Sequence, residues 1–313
     1  MVKLSDIAKF LGVSITTVSY SLNNDPRIPA ATKQRVIDAA NQLGYTGKSG
    51  KSANKDYLKQ IVLCLNTLKG DVYSDIIAAM KATLNLNNCE LMVYVGSEIT
   101  RIKWMDGLFV LNSRVKNEDI EQIASRRIPA VLMDREVDID GTMCVTLDNF
   151  KGCNAVTQRA IEQGARSFVF IGGPKESYES QYRYNGFCKA LSDNGLMRRD
   201  ILTLQTDFTY VGGLNACRFV LERESAPDAI VCANDETAMG IIAGLKSGNV
   251  TKDVIVTGFD GLVDPSHMQY RFITAKADHK YWATTSSYSM LQMFEHGVQH
   301  DMKIPVQVID NIA

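Results

Sequence analysis

Three apolar runs in this chain end on side chains that can hold hydroxyl groups. Ala130-Val131-Leu132-Met133 closes on Asp134, Ile230-Val231-Cys232-Ala233 on Asn234 and Asp235, and the run from Val254 to Phe259 on Asp260. Carboxylates accept hydrogen bonds and an amide both donates and accepts, so such a set suits a polyhydroxylated molecule. Asp134 and Asp260 also have a plainer use, as caps on the turns that follow. A second set stands near the start. Ser14, Thr17 and Asn23 are short polar groups suited to phosphate oxygens, and Ile15, Thr16, Ser19 and Tyr20 point away from Val18 and Leu22, as residues facing a major groove would.

The elements that position this second set are short helices. Leu4, Ile7, Ala8 and Leu11 recur at i, i+3, i+4 and i+7, and Gly12-Val13 makes a stop and turn. Ser14 stands where a cap is needed, and Val18 and Leu22 continue the apolar face. Two helices joined by so tight a turn read as helix-turn-helix. Asn23-Asn24-Asp25-Pro26 is a loop by composition, and Pro29 suits the first turn of a third helix that carries Val36, Ala40 and Leu43 inward and stops at Gly44. The same spacing fits a three-helix bundle of any purpose.

From Ile61 onward, short apolar runs alternate with helical stretches. Strands are expected at 61–66, 90–95, 107–111, 130–134, 144–147, 168–172, 201–204, 229–233, 254–258 and 272–276. Helices are expected at 74–86, 117–126, 149–163, 183–194, 210–223, 235–246 and 280–295. This order implies parallel sheets covered on both faces, and a break near 148–150 divides the strands between two sheets. Ligands of such sheets bind outside the carboxyl ends of the strands, where Asp134, Asn234 and Asp260 stand. Only ten residues separate Val95 from Asp106, too few for a full crossover helix.

Composition narrows the function classes. The 313 residues suit two or three domains, and the formal net charge is −1. Residues 1–60 hold nine Lys or Arg against four Asp, which leaves a surplus of acid in the remainder. A basic head on an acidic body is the asymmetry expected where one segment meets phosphate. The seven cysteines form no Cys-x-x-Cys pair and read as reduced thiols of a cytosolic protein. No export signal, membrane span or lipidation signal is visible, so a soluble cytoplasmic protein is expected.

Enzyme and cofactor readings find little support. Gly-Lys-Ser recurs at 47–49 and 50–52 without the upstream glycine or the strand and helix of a phosphate loop. Gly172-Gly173-Pro174 reads as a turn. His296 and His300 read as a solvated pair, not a metal site, and no serine elbow, kinase set or dinucleotide fingerprint is present. No metal, cofactor or catalytic residue is expected.

Asp6-Ile7-Ala8, Gly12-Val13-Ser14, Thr17-Val18-Ser19, Leu22-Asn23 and Leu43-Gly44-Tyr45 resemble the head of the lactose-repressor (LacI/GalR) family of bacterial transcription regulators. Gly172-Gly173-Pro174, Arg183-x-x-Gly186-Phe187, Ala233-Asn234-Asp235-x-x-Ala238-x-Gly240 and Gly258-Phe259-Asp260 resemble the family's body, which is similar to periplasmic sugar-binding proteins. The resemblance implies base contacts by Ile15, Thr16 and Tyr20 and backbone contacts by Ser14, Thr17, Asn23, Thr32 and Tyr45. It also implies an effector pocket between two lobes built from Asp134, Arg183, Asn234 and Asp260, with Phe208 as an aromatic plate and Tyr73 beside it. Phe208 equally fits a core position, and Arg183 a surface ion pair. Tyr20 stands where many relatives have Arg, so the operator sequence is not inherited from the family. The linker lacks the Pro-Asn opening and leucine wedge of the family's hinge helix, and phosphate contacts by Lys48, Lys51 and Lys55 with less DNA bending are expected.

The expected organisation is a helix-turn-helix head at 1–45, a linker at 46–59 and an α/β body of two parallel-sheet lobes at 60–313. Lobe 1 takes 60–148 plus 277–297, and lobe 2 takes 149–276 plus 298–313. The expected function is a homodimeric repressor of double-stranded operator DNA, controlled by a small effector, a carbohydrate by resemblance. The alternatives are a solute-binding or sensor module without a transcriptional role, and a regulator answering to a nucleobase or a partner protein.

Overall fold

The computed structural model describes residues 2–22, 28–43, 45, 58–197, 201–250, 253–298 and 300–312, the side chains at 30, 41 and 71 excepted. Asn23, Gly44 and the linker lysines Lys48, Lys51 and Lys55 lie outside the described residues. The chain divides into two compact units, Met1–Leu58 and Lys59–Ala313.

The first unit contains α1 (Leu4–Leu11), α2 (Ile15–Leu22) and α3 (Ala30–Gln42). Gly12 ends α1 in the left-handed region at φ 67°, where a side chain would be strained. Ser14 Oγ then accepts from the Thr17 amide at 2.9 Å and opens α2. Ile7, Ala8, Val18, Val36, Ala39 and Ala40 form the buried core. Such a core needs all three helices, because none of them can bury its apolar stripe alone.

The second unit holds two six-stranded sheets. The chain runs through β1 (Lys59–Leu65), α4 (Asp71–Asn85), β2 (Cys89–Val95), β3 (Gly107–Leu111), α5 (Asn117–Ser125), β4 (Ala130–Leu132), β5 (Thr142–Leu147) and α6 (Asn149–Glu162). It continues through β6 (Phe168–Gly172), α7 (Tyr178–Asp193), β7 (Leu202–Gln205), α8 (Tyr210–Leu221), β8 (Ala229–Cys232), α9 (Asp235–Ser247), β9 (Ile255–Asp260), β10 (Phe272–Lys276), α10 (His279–His296), β11 (Met302–Ile304) and β12 (Gln307–Asp310). The first sheet has the order β11-β5-β4-β3-β1-β2 and the second β12-β10-β9-β8-β6-β7. All pairings are parallel except β10 with β12. The inner strands β3, β4, β5, β6 and β8 are buried along their whole length because helices cover both faces, and the edge strands are partly exposed.

In each sheet the strand order reverses once, between β1 and β3 in the first and between β6 and β8 in the second. A crevice opens outside the strand ends at such a point. Asn66, Asn112, Gly173 and Asn234 follow these four strands directly or within a residue.

The chain from β2 to β3 carries only a single 3-10 turn, Ile99–Arg101, in keeping with the short spacing in the sequence. Two expectations are corrected. The stretch 298–313 does not fall wholly in the second lobe, because β11 pairs with β5 of the first sheet and only β12 joins the second. The helix expected at 183–194 starts at Tyr178, where Ser177 Oγ caps it by accepting from the Ser180 amide at 3.2 Å. Arg183 therefore lies inside α7.

Candidate functional site

In the first unit, α2 presents Ile15 and Thr16 to solvent, with Ile15 53% exposed, and Tyr20 is 37% exposed on the same helix. Val18 beneath them is fully buried, so the helix has one committed face and one available face. Ser14 and Thr17 are tied together, Oγ to Oγ1 at 2.8 Å. Their hydroxyls hold the start of α2 and sit at its N-terminus, where backbone amides and the helix dipole favour a phosphate. Thr32 opens α3, its amide donating to Pro29 O at 3.0 Å, and Tyr45 packs partly on the core.

In the second unit the expected effector residues gather in three linked groups. The first joins Arg183, Asp260 and His279. Arg183 is 4% exposed; its Nε donates to Asn149 Oδ1 at 2.8 Å, its Nη1 to Ala233 O at 2.6 Å, and its Nη2 stands 3.7 Å from Asp260 Oδ1. The guanidinium also lies 3.7 Å over the Phe259 ring, which leaves it flat and fixed. Burial raises the Asp260 carboxyl, while Arg183 and then His279 pull it back. His279 Nε2 stands 3.9 Å from Asp260, and burial pushes the imidazole below its ordinary value.

The second group joins Phe208 and Asn234. Asn234 is used at both ends: its Oδ1 accepts from the Thr237 amide and caps α9, and its Nδ2 donates to Phe208 O at 2.9 Å. The Phe208 ring lies against the Gly173 backbone, in the space a side chain at Gly173 would occupy. Phe208 has φ 66° and Asp260 φ 102°, and both are side-chain-bearing residues in a region that favours glycine. Such strain costs about 1–3 kcal/mol per residue and persists where the surroundings over-determine it, as at binding sites.

The third group joins Asp134 and Arg135. Arg135 donates from Nε to Asp134 Oδ1 and from Nη2 to Asp134 Oδ2, both at 2.9 Å. Its other three donations go to Val115 O, Asn117 Oδ1 and Asn112 O. All five guanidinium donors are used. Asp134 is thus held by its own neighbour.

Tyr73, on the first turn of α4, links the groups. Burial raises its phenol, and Glu179, Asp260, Glu236 and Asp134 raise it further. These carboxylates come from both lobes, Asp134 from the first and Glu179, Asp260 and Glu236 from the second. The lobes also touch through Asn117 Nδ2 and Tyr178 Oη at 3.3 Å, and Arg135 lies 5.2 Å from the Tyr178 ring centre. Beside this contact opens a cavity of about 670 Å³ lined by Asn66, Ser113, Asn117, Arg135, Pro174 and Tyr178 among others. None of the six expected residues lines it; it adjoins them through Arg135 and Tyr178.

Sequence reasoning missed Arg135, Asn149, Glu179 and His279. Asn149 and His279 stand at the starts of α6 and α10, both directly after a strand and a capping Asp, and that placement was the available signal. Among the described residues no group of acidic, His and Cys side chains is arranged to hold a metal, and no helix is long and apolar enough to cross a membrane.

The model of bacterial regulatory proteins of the lacI family matches residues 3–47, and that of periplasmic binding proteins and the sugar-binding domain of the LacI family matches residues 99–312. The chain is 30% identical over 272 residues to the HTH-type transcriptional regulator RegA of Clostridium saccharobutylicum, with 82% of each chain covered. It is 28% identical over 275 residues to the HTH-type transcriptional repressor PurR of Actinobacillus pleuropneumoniae serotype 3, covering 84% of this chain and 82% of that one. Among solved structures, the transcriptional regulator CelR in complex with cellobiose superposes with a TM-score of 0.71 at 21% identity, over 99% and 98% of the two chains. The Lac repressor dimer bound to operator and an anti-inducer gives 0.70 at 22%, over 98% and 97%. These relatives are transcriptional regulators, not enzymes. With a head that carries the helix-turn-helix and a two-lobed body behind it, the chain belongs to the lacI family of DNA-binding bacterial regulatory proteins.

Proposed function

We propose that this regulator is a cytoplasmic homodimeric repressor whose affinity for a roughly palindromic operator is set by a small carbohydrate held between its lobes. The head at 1–45 reads DNA, residues 46–59 link it to the body, and the body from 60 onward binds effector and partner subunit. Ile15, Thr16 and Tyr20 read base edges. Ser14, Thr17, Asn23, Thr32 and Tyr45 contact the backbone, Ser14 and Thr17 from the end of α2 that they cap.

The effector reading rests on one observation above the others. Arg183 and Asp260 from the second lobe are fixed and desolvated beside each other, facing Tyr73 and Asp134 of the first. A ligand bridging these groups favours one closure of the lobes, and only such differential affinity can change the DNA affinity of the head. Asn234 acts by placing Phe208, and Asp134 by placing Arg135 at the cavity wall.

Gel shifts with the DNA upstream of the chain's own gene test the DNA function. Thermal-shift screening of sugars tests the effector. A sugar that stabilises the protein and no longer does so in Asp260→Asn supports the pocket, whereas one that stabilises both equally removes it.

A further inference from the structure

Beside Arg183, one carboxyl of the second lobe is ion-paired with no base among the described residues. Glu179 stands on the first turn of α7, one turn before Arg183, and is partly buried. Ser177 Oγ donates to it at a long 3.5 Å, and among the described residues it takes part in no ion pair. Arg135 is saturated by Asp134 and three oxygens of the first lobe. Arg183 is directed to Asn149, Ala233 and Asp260.

The groups around Glu179 are otherwise acidic or neutral. Asp134 faces it from the end of β4, Asp260 from the end of β9 and Tyr73 from α4, while His279 on α10 is turned to Asp260. Burial, Asp134 and Asp260 all disfavour its carboxylate, against which Arg183 is the opposing charge. Arg114 and Lys116 line the neighbouring cavity as exposed residues.

A neutral hydroxyl donating to Glu179 would satisfy an oxygen and leave the buried charge in place. A protonated amine satisfies both, since a charge-assisted hydrogen bond is about twice as strong as a neutral one. Resting on the cleft reading above, we propose that the effector is an amino sugar, its protonated nitrogen docked on Glu179 and its hydroxyls on Arg183 and Asp260.

Matched pairs test this on the full chain: D-glucosamine with D-glucose, D-galactosamine with D-galactose, and D-mannosamine with D-mannose, by thermal shift and calorimetry. One amino member is expected to bind at least about tenfold more tightly than its parent, and the N-acetylated form, which has lost the charge, to lose that advantage. Glu179→Gln is expected to bring the pair within about threefold. Glu179→Asp, which keeps the charge on a shorter side chain, retains part of the preference and controls for misfolding. Equal or tighter binding of the parent overturns the inference, as does the absence of binding by all three amino sugars. A parent sugar that binds wild type at least as tightly as its amino form and fails to bind Asp260→Asn leaves the cleft reading standing while the amino-sugar inference falls.

Discussion

Asp134 and Arg135 are sequence neighbours locked in a two-point ion pair with both side chains buried, 2% and 1% exposed. A bidentate pair between adjacent residues needs the backbone to turn sharply, as it does where the chain leaves β4. The pair turns a strand-end carboxylate into an anchor that aims a guanidinium at the other lobe's Tyr178. Removing one partner strands the other charge in the interior. Asp134→Ala is expected to destabilise the body by about 3–5 kcal/mol in chemical denaturation, and the double variant Asp134→Ala with Arg135→Leu by less than the sum of the singles.

Gly173 is expected to be intolerant of any side chain, because the Phe208 ring occupies the space of its Cβ. Gly173→Ala must move Phe208, already strained at φ 66°. Effector binding should weaken by more than about tenfold even where the melting temperature falls only a few degrees, measured by calorimetry against the stabilising sugar.

The Glu179 and Asp235 carboxyls are both pushed up to about 7, Glu179 chiefly by burial and Asp235 by burial and then Asp260. A group with its folded value above the unfolded one contributes stability that is complete below the unfolded value and lost as pH rises through the folded value. The window is therefore pH 4 to 7. His279, depressed by burial, works in the opposite sense as pH falls below its ordinary 6.5. Denaturation midpoints are expected to drop between pH 5 and 8 in wild type. Glu179→Gln should flatten that fall by on the order of 1–2 kcal/mol, a figure reduced for the partial exposure of the group.

Ser14 caps α2 through the Thr17 amide and also bonds the Thr17 hydroxyl. Ser14→Ala should cost the head about 1 kcal/mol and weaken all DNA sequences alike. Tyr20→Ala should instead lower discrimination between operator variants at one base pair by about 1–3 kcal/mol. A binding-site selection on both variants separates the two outcomes.

Much of the architecture was legible because burial writes itself into short runs. Ile61 to Leu65, Phe168 to Gly172 and Phe272 to Lys276 are apolar on both faces of their sheets, and strands appear there. Gly12 and Ser14 announced the turn of the head by backbone freedom and cap chemistry. β11 and β12 were missed because they have three and four residues and leave Met302, Lys303, Gln307 and Val308 exposed, so no apolar run marks them. The start of α7 was placed late because Tyr178 to Tyr182 is polar, although Ser177 with Ser180 carries the cap.

The site was legible as residue types and not as partnerships. Asp260, Arg183 and Asn234 converge as strand-end chemistry implies. That Asn149 would fix Arg183, Arg135 would occupy Asp134 and His279 would stand by Asp260 depends on pairings across 34 residues, on one tight turn and on a helix entering from late in the chain. Local pattern carries no signal for such contacts.

Occupation of the cleft between Arg183 and Asp260 is expected to govern how tightly the head holds DNA. Fluorescence anisotropy of a labelled operator, titrated with the protein with and without a saturating amount of the sugar that most stabilises it, tests this directly. A change in operator affinity of about 5–150-fold that disappears in Asp260→Asn is expected. Operator affinity that stays the same while the body is demonstrably saturated would contradict it.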